Sequence, residues 1–146
     1  MKRNHKIMLS AFLLLVILLV NLYNNRSVGF HEVVTASLKP EDVASIQIVS
    51  ISGEVENETN ITGSHEIASI LDQLIQLKVR KISSVDNDPS DDIRIMIRSN
   101  NGAKYLFLTV YDKSYIHVYD DNRKKNKIKN YKIVSDNAHL IRLLEP

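Results

Sequence analysis

Three consecutive stretches of alternating apolar and polar residues constrain the fold more than any other feature of this chain. They cover residues 93–97, 105–111 and 115–119. Such alternation is typical of strands that have one buried face. An Asn-Gly pair at 101–102 is a strong signal for a two-residue hairpin turn, and a three-residue loop at 112–114 joins the next two stretches. The sequence therefore predicts an antiparallel three-stranded meander.

The register that these turns impose places apolar residues opposite one another throughout. The predicted pairs are Ile97 with Leu106, Ile95 with Leu108, Ile93 with Val110, Val110 with Ile116, and Leu108 with Val118. A slip of one residue would set apolar against polar side chains at every position. One face of the meander is therefore predicted to be aliphatic and in need of a cover.

A helix is predicted to supply that cover. Five aliphatic residues recur at helical spacing and form one stripe: Ile67, Ile70, Leu71, Leu74 and Leu77. Ser64 is the expected N-cap, and Glu66 lies in the first turn, where the helix dipole favours an acid. Full burial of the stripe, at about 1.5 to 3 kcal/mol per side chain, would contribute roughly 10 kcal/mol before entropy is counted. The helix must therefore pack against an apolar surface.

Shorter elements complete the predicted domain. Residues 44–51 and 54–61 form strands joined by a turn at 52–53, and residues 127–134 form a last strand. A short closing helix carries three further aliphatic residues, Leu140, Ile141 and Leu144, behind a cap at Ser135 or Asp136. The predicted fold class is α+β: an N-terminal membrane helix, then a small antiparallel sheet with one main helix and a short C-terminal helix on one face.

The N-terminus predicts contact with a membrane. A basic head precedes an apolar run over residues 7–23, which as a helix is about 25 Å long, at the low end for a hydrocarbon core about 30 Å thick. An uncleaved transmembrane signal anchor is favoured, with the lipid bilayer as a partner. A cleaved secretory signal is the alternative, with Ser27 and Gly29 at the positions three and one before the cut. In both cases the positive-inside rule places the N-terminus in the cytoplasm and the later residues outside.

The predicted organisation has four segments. They are a cytoplasmic basic head (1–6), a single-pass signal anchor in the cell membrane (7–23), a tether (24–42) and an extracytoplasmic α+β domain (43–146), secreted if the signal is cleaved. The chain carries a net charge of +2, but its first 29 residues hold four basic and no acidic residues, so residues 30–146 carry +2 − 4 = −2. A nucleic-acid partner therefore lacks electrostatic support.

The second face of the predicted meander is unusual for a solvated surface. Eight residues on it form a candidate binding surface: Arg94, Arg98, Tyr105, Phe107, Tyr111, Tyr115, His117 and Tyr119. Arg98 is expected beside Tyr105, and Phe107 beside Tyr119. Aromatic and arginine side chains supply much of the energy of interfaces, so this face predicts recognition of an extracytoplasmic protein, a peptide or a cell-wall glycan. A purely structural role is the stronger interpretation of this face taken by itself, because Tyr and Phe favour strands, aromatic pairs stabilise hairpins, and residues 30–45 can cover the face.

Two charged clusters lie in predicted loops. Residues 86–92 resemble the start of a calcium-binding loop, but Asp91 stands where the turn glycine belongs and Ile97 where the bidentate glutamate belongs. A solvated acidic loop is favoured. The basic run over residues 123–132 is interpreted as a solvated hairpin tip with lysines that protect a sheet edge, the alternative being contact with lipid headgroups or anionic wall polymers.

Catalytic chemistry finds little support in the sequence. The histidines lack metal-binding spacing, no serine lies in a Gly-x-Ser-x-Gly turn, and the absence of cysteine excludes a thiol nucleophile. We expect a binding or interaction module with no catalytic residue, metal or cofactor. A cell-wall hydrolase is one alternative, which would need His117 or His139 beside an acid in a cleft. An accessory or sensor subunit that acts through its membrane helix is another.

The order of the elements adds a resemblance. It rests on the helical pattern from Ile67 to Leu77, the alternating strands from residue 93 to residue 119, and the terminal strand at Tyr131-Lys-Ile133 with its following helix. In this order, residues 44–144 resemble small uncharacterised exported domains of Gram-positive bacteria, which often follow a signal anchor or a lipoprotein signal. The likeness is one of pattern, without fixed motif residues. It implies an α+β fold and brings no known activity or site.

Overall fold

A computed structural model gives the fold of the chain. It describes residues 2–34, 38–84, 91–100, 105–121, 124–125 and 128–144. The helices among these residues are α1 (Lys2–Asn24), α2 (Phe30–Val33), α3 (Ser64–Gln76) and α4 (Ala138–Leu144), with a 3₁₀ turn at Pro40–Asp42. The strands are β1 (Val28–Gly29), β2 (Val43–Ser52), β3 (Val55–Ile61), β4 (Lys78–Ile82), β5 (Asp91–Ser99), β6 (Tyr105–Tyr111), β7 (Tyr115–Asp120) and β8 (Ile128–Ile133).

The eight strands form one sheet in which every neighbouring pair is antiparallel. Their spatial order is β1-β4-β8-β7-β6-β5-β2-β3. The strands from β5 to β8 are neighbours both in sequence and in space, as consecutive hairpins require. In contrast, β2 pairs with β5 and β4 pairs with β8, so these two contacts join segments that are distant along the chain.

The meander of β5, β6 and β7 has the predicted register. Ile95 lies opposite Leu108, and Leu108 lies opposite Val118. The pairs Arg98 with Tyr105 and Phe107 with Tyr119 are also confirmed. The three-residue loop between β6 and β7 is present, with Tyr111 paired to Tyr115. The Asn-Gly turn at 101–102 lies outside the described residues.

The aliphatic face of this sheet is covered by α3 and α4, and we call it the inner face. All five residues of the predicted helical stripe are buried, as are Leu140, Ile141 and Leu144 of α4. They form one hydrophobic core with the inner residues of β2, β5, β6 and β7. Asp136 caps α4 as predicted, because its Oδ1 accepts a hydrogen bond of 3.0 Å from the N–H of Ala138. Gly63, one residue before Ser64, occupies the N-cap position of α3.

Residues before β2 add to the same core. Phe30 in α2 has no exposed surface, and its N–H donates a hydrogen bond of 2.8 Å to the Leu77 carbonyl. Glu32 fixes the entry to this short helix, since its Oε1 accepts a bond of 2.9 Å from the Gly29 N–H. These residues fall within the segment predicted as a tether. The sequence suggested residues 30–45 as a cover for the aromatic face of the meander, whereas Phe30 packs in the core on the inner face.

The predicted fold class needs two corrections. In the part of the chain that the structure describes, no helix is both long enough and apolar enough to cross a membrane. The expected N-terminal membrane helix, a transmembrane signal anchor over residues 7–23, is therefore wrong. As a helix, the apolar run of residues 7–23 is about 25 Å long, which is shorter than a hydrocarbon core of about 30 Å. The sheet is also larger than predicted, because β1 and β4 extend the six expected strands to eight.

Candidate ligand-binding groove

The face of the sheet that points away from α3 and α4, the outer face, carries a concave groove of about 1060 Å³. Strands β5, β6 and β7 supply most of its wall. The side chains from these three strands are Met96, Arg98, Ser99, Phe107, Thr109, Tyr111, His117 and Tyr119, and Ala44, Ser45 and Asn100 complete the lining. Thr109 is only 4% exposed and lies between Arg94 and His117 in the register, so it forms part of the floor.

Strand alternation explains why these side chains meet. Residues two apart on a strand point to the same face, so Phe107 and Tyr111 share the face of Thr109 while Leu108 and Val110 enter the core. The antiparallel register then sets Phe107 between Met96 and Tyr119 in one row across three strands. An apolar and aromatic strip therefore crosses the groove.

The groove unites five of the eight residues predicted as a binding surface. Those five are Arg98, Phe107, Tyr111, His117 and Tyr119. Arg94 and Tyr115 lie on the outer face but do not line the groove. The backbone of Tyr105 lies opposite Arg98, and its side chain is outside the described part of the structure.

Arg94 and Arg98 have different surroundings although they share a strand and a face. The guanidinium of Arg94 forms an ion pair of 3.2 Å with Oδ2 of Asp92, which lies two residues earlier on β5. Arg98 instead donates from Nε to Sδ of Met96, at 3.5 Å. A thioether sulfur is a weak acceptor. Arg98 is thus the arginine whose charge faces the groove.

His117 and Tyr119 are positioned by side-chain hydrogen bonds. Nδ1 of His117 lies 2.8 Å from Oδ1 of Asn130 on the adjacent strand β8. The hydroxyl of Tyr119 donates to Oδ1 of Asp121 at 3.3 Å. Because the partner of His117 is an amide, this pair is not the histidine and acid pair that the hydrolase alternative requires. His139 is exposed on α4.

The 3₁₀ turn at Pro40–Asp42 is tied to the end of the groove where Arg98 lies. The backbone N–H of Asn100 donates a bond of 2.9 Å to the Asp42 carbonyl, and its side-chain amide donates to the Glu41 carbonyl. On the next strand, Ser45 lies opposite Arg98. These contacts were missed from the sequence, because no local signal in residues 40–45 indicates that β2 pairs with β5.

The charge of the groove is positive or neutral. Its described lining contains one arginine and one histidine and no carboxylate. No group of three or more His, Cys, Asp or Glu residues among the described positions is arranged to hold a metal ion.

The calcium-like spacing at 86–92 falls mostly outside the described residues. Of that stretch, the Asp92 carboxylate pairs with Arg94 through Oδ2, while its buried Oδ1 has no hydrogen-bond partner in the described structure.

The fold and the groove define a small α+β domain built on one antiparallel sheet, with a candidate binding surface on its outer face. The chain belongs to the DUF5301 family, described as a domain of unknown function (DUF5300), whose model matches residues 35–130. The match includes every residue that lines the groove. It agrees with the coarser part of the predicted resemblance, an uncharacterised small domain. No curated protein and no solved structure matches the chain.

Proposed function

We propose that this chain is a binding module whose ligand occupies the groove on the outer face of the sheet. The observation that carries the proposal is the convergence of Arg98, Phe107, Tyr111, His117 and Tyr119 on one concave surface. Tyrosine and arginine, three of these five residues, are enriched among the residues that supply most of the binding energy in known interfaces. Their convergence on three adjacent strands gives the surface a rigid base.

The size and chemistry of the groove support a ligand-binding role. Sites for small molecules usually measure about 300 to 1,000 Å³ and combine apolar walls with a few polar groups that fix orientation. The groove, at about 1060 Å³, lies just above that range. The row of Met96, Phe107 and Tyr119 supplies apolar surface, and Arg98, Thr109 and His117 supply polar groups. A short peptide, a sugar chain or a small organic molecule fits these dimensions.

An exported location belongs to the proposal on the evidence of the sequence alone. A basic head followed by an apolar run is also the pattern of a cleaved secretory signal, whose apolar part is only about 7 to 15 residues long. The abundance of Ile, Lys and Asn favours a Gram-positive source. Recovery of the natural protein from the cytoplasmic fraction with Met1 still in place would contradict this location.

A ligand screen with matched tyrosine variants tests the binding role. The ¹⁵N-labelled chain is titrated with a library of short peptides, sugars and aromatic acids, and amide chemical shifts are recorded. We expect ligands that shift amides of β5, β6 and β7. Tyr111→Ala combined with Tyr119→Ala should abolish those shifts, because both rings line the groove.

Tyr115→Ala is the control, since Tyr115 shares strand β7 and the outer face but lies outside the groove lining. Its spectrum should respond to the same ligands as the original chain. Ligands that shift only residues remote from the groove would contradict the proposal. Equal losses in the Tyr115 variant and the double variant would do so as well.

A further inference from the structure

Arg98 and Arg94 form a natural comparison within one strand. Both guanidinium groups extend from the outer face of β5, four residues apart, and both side chains are exposed at the surface. Arg94 meets a carboxylate at 3.2 Å, whereas the hydrogen bond of Arg98 in the described structure goes to a thioether at 3.5 Å. Only Arg98 lines the groove. The two residues therefore differ in whether their charge is already balanced.

The guanidinium of Arg98 has hydrogen-bonding capacity to offer a ligand. Arginine carries five N–H donors in a rigid fork, and this fork matches the two oxygens of a carboxylate. The bond from Nε to Met96 uses one of these donors. The described lining contains no carboxylate, and the Asp121 carboxylate beside it already accepts a hydrogen bond of 3.3 Å from Tyr119, so an anion that enters the groove meets the positive charge of Arg98.

The apolar strip lies next to this charge at a distance that suits a small acid. Met96 is two residues from Arg98 on the same strand and is paired with Phe107, which is paired in turn with Tyr119. Two residues along a strand correspond to about 6.6 Å. A ligand with a carboxylate at Arg98 therefore places a body of two or three carbon atoms and a ring over the row of Met96, Phe107 and Tyr119.

We infer that the groove binds an organic carboxylate with an aromatic or aliphatic body, and that Arg98 is the residue that recognises the carboxylate. The inference rests on the proposed binding function and adds the chemical class of the ligand. A free organic acid and the C-terminal carboxylate of a peptide share this chemistry. Arg94 takes no part, because it does not line the groove and its guanidinium is paired with Asp92.

Four small probes with matched bodies test the inference by amide chemical shifts on the intact chain. The first three are 3-phenylpropionate, its neutral amide 3-phenylpropanamide, and the cation 3-phenylpropylammonium. We expect the carboxylate to bind most tightly and the cation most weakly, with shifts centred on β5, β6 and β7. The fourth probe, N-acetylphenylalanine, represents the C-terminal residue of a peptide. If it binds more tightly than 3-phenylpropionate, the natural target is a peptide carboxylate. If it binds more weakly, the natural target is a free organic acid.

Arg98→Gln is the decisive variant, and Arg94→Gln is its matched control. Removal of a charge-assisted hydrogen bond should weaken 3-phenylpropionate binding by about tenfold to a hundredfold in Arg98→Gln. The same variant should leave the amide probe unchanged, and Arg94→Gln should leave both unchanged. Near-identical spectra of the unliganded variants establish that each remains folded.

Three outcomes would overturn the inference. Equal binding of the carboxylate and the amide would refute the ligand class while leaving a binding function for the groove. Equal weakening by both arginine variants would refute the special role of Arg98 and indicate a general charge effect. If none of the four probes shifts groove amides at millimolar concentration but other ligands of the library do, the carboxylate ligand class is refuted and the binding function stands. If neither the probes nor the library shifts groove amides, the proposed binding function is refuted as well.

Discussion

The two faces of β5, β6 and β7 are built from alternate residues of the same strands, yet they have opposite surroundings. On the inner face, Ile95, Leu108 and Ile116 have no exposed surface. On the outer face, Phe107 and Tyr119 are half-buried and line an open groove. The backbone is common to both, so the difference comes from what covers each face. The inner face supplies stability, and the outer face lines the groove.

The largest expected effect comes from a charge placed on the inner face. Ile95→Lys would bury an ammonium group without a partner, at a cost of several kcal/mol, which is comparable with the total stability of about 5 to 15 kcal/mol for a domain. We expect loss of the cooperative thermal transition by circular dichroism. Met96→Lys should retain that transition, because the next side chain faces the groove. Unfolding of both variants would mean that the outer face is also covered in solution.

A smaller effect on the free energy of unfolding distinguishes side-chain truncations at the adjacent positions 107 and 108. Leu108→Ala should lower the free energy of unfolding by about 2 to 5 kcal/mol, because it leaves a cavity in a fully buried site. Phe107→Ala should cost only about 1 kcal/mol, since its side chain is half-buried in the folded chain. Urea denaturation measures both values. If the phenylalanine variant loses as much stability as the leucine variant, the contrast between the two faces fails.

The smallest effect concerns the two arginines of the outer face. Arg94→Gln breaks the pair with Asp92. The Arg94 side chain is 47% exposed and that of Asp92 only 12%, so we expect a loss at the upper end of the surface range, about 1 kcal/mol. Arg98→Gln should change the free energy of unfolding less, because it removes only a contact to sulfur. Urea titrations at low and high salt measure the difference. A difference between the variants that persists unchanged at high salt would argue against the ion pair as its origin.

The register of the meander was predictable because its signals are local. Alternation with period two fixes which residues share a face, and the turn lengths fix which residues stand opposite. Ile95 opposite Leu108 and Phe107 opposite Tyr119 follow from these two facts alone. The stripe of α3 was predictable for the same reason, since helical spacing is read within one segment. The pair of Arg94 with Asp92 was missed, because the strand was predicted to begin at Ile93 and Asp92 was assigned to the acidic loop.

The contacts between distant segments could not be predicted in this way. β4 has one fully buried apolar residue, Val79, among charged neighbours, so its alternation is weak. Phe30, Val33 and Val34 stand at helical spacing, i, i+3 and i+4, but the stretch is too short and too mixed to indicate that it enters the core. To predict the whole groove, both the local patterns of the strands and the contacts between distant segments were needed. Its central strands were predicted, while Ser45 and the turn at Pro40–Asp42 join it only through the pairing of β2 with β5.

The strand order has a consequence for how the molecule is made. On the ribosome, β4 emerges directly after α3, but its main partner β8 is the last of the described strands to be synthesised. Until β8 arrives, β4 has only the two residues of β1 to pair with. Because contacts of long sequence separation form slowly, we infer that this edge closes last during biosynthesis. A nascent chain that stalls before Ile128 would leave β4, which is rich in lysine and arginine, without its main partner strand. The strand would then be exposed to folding factors at the exit of the ribosomal tunnel.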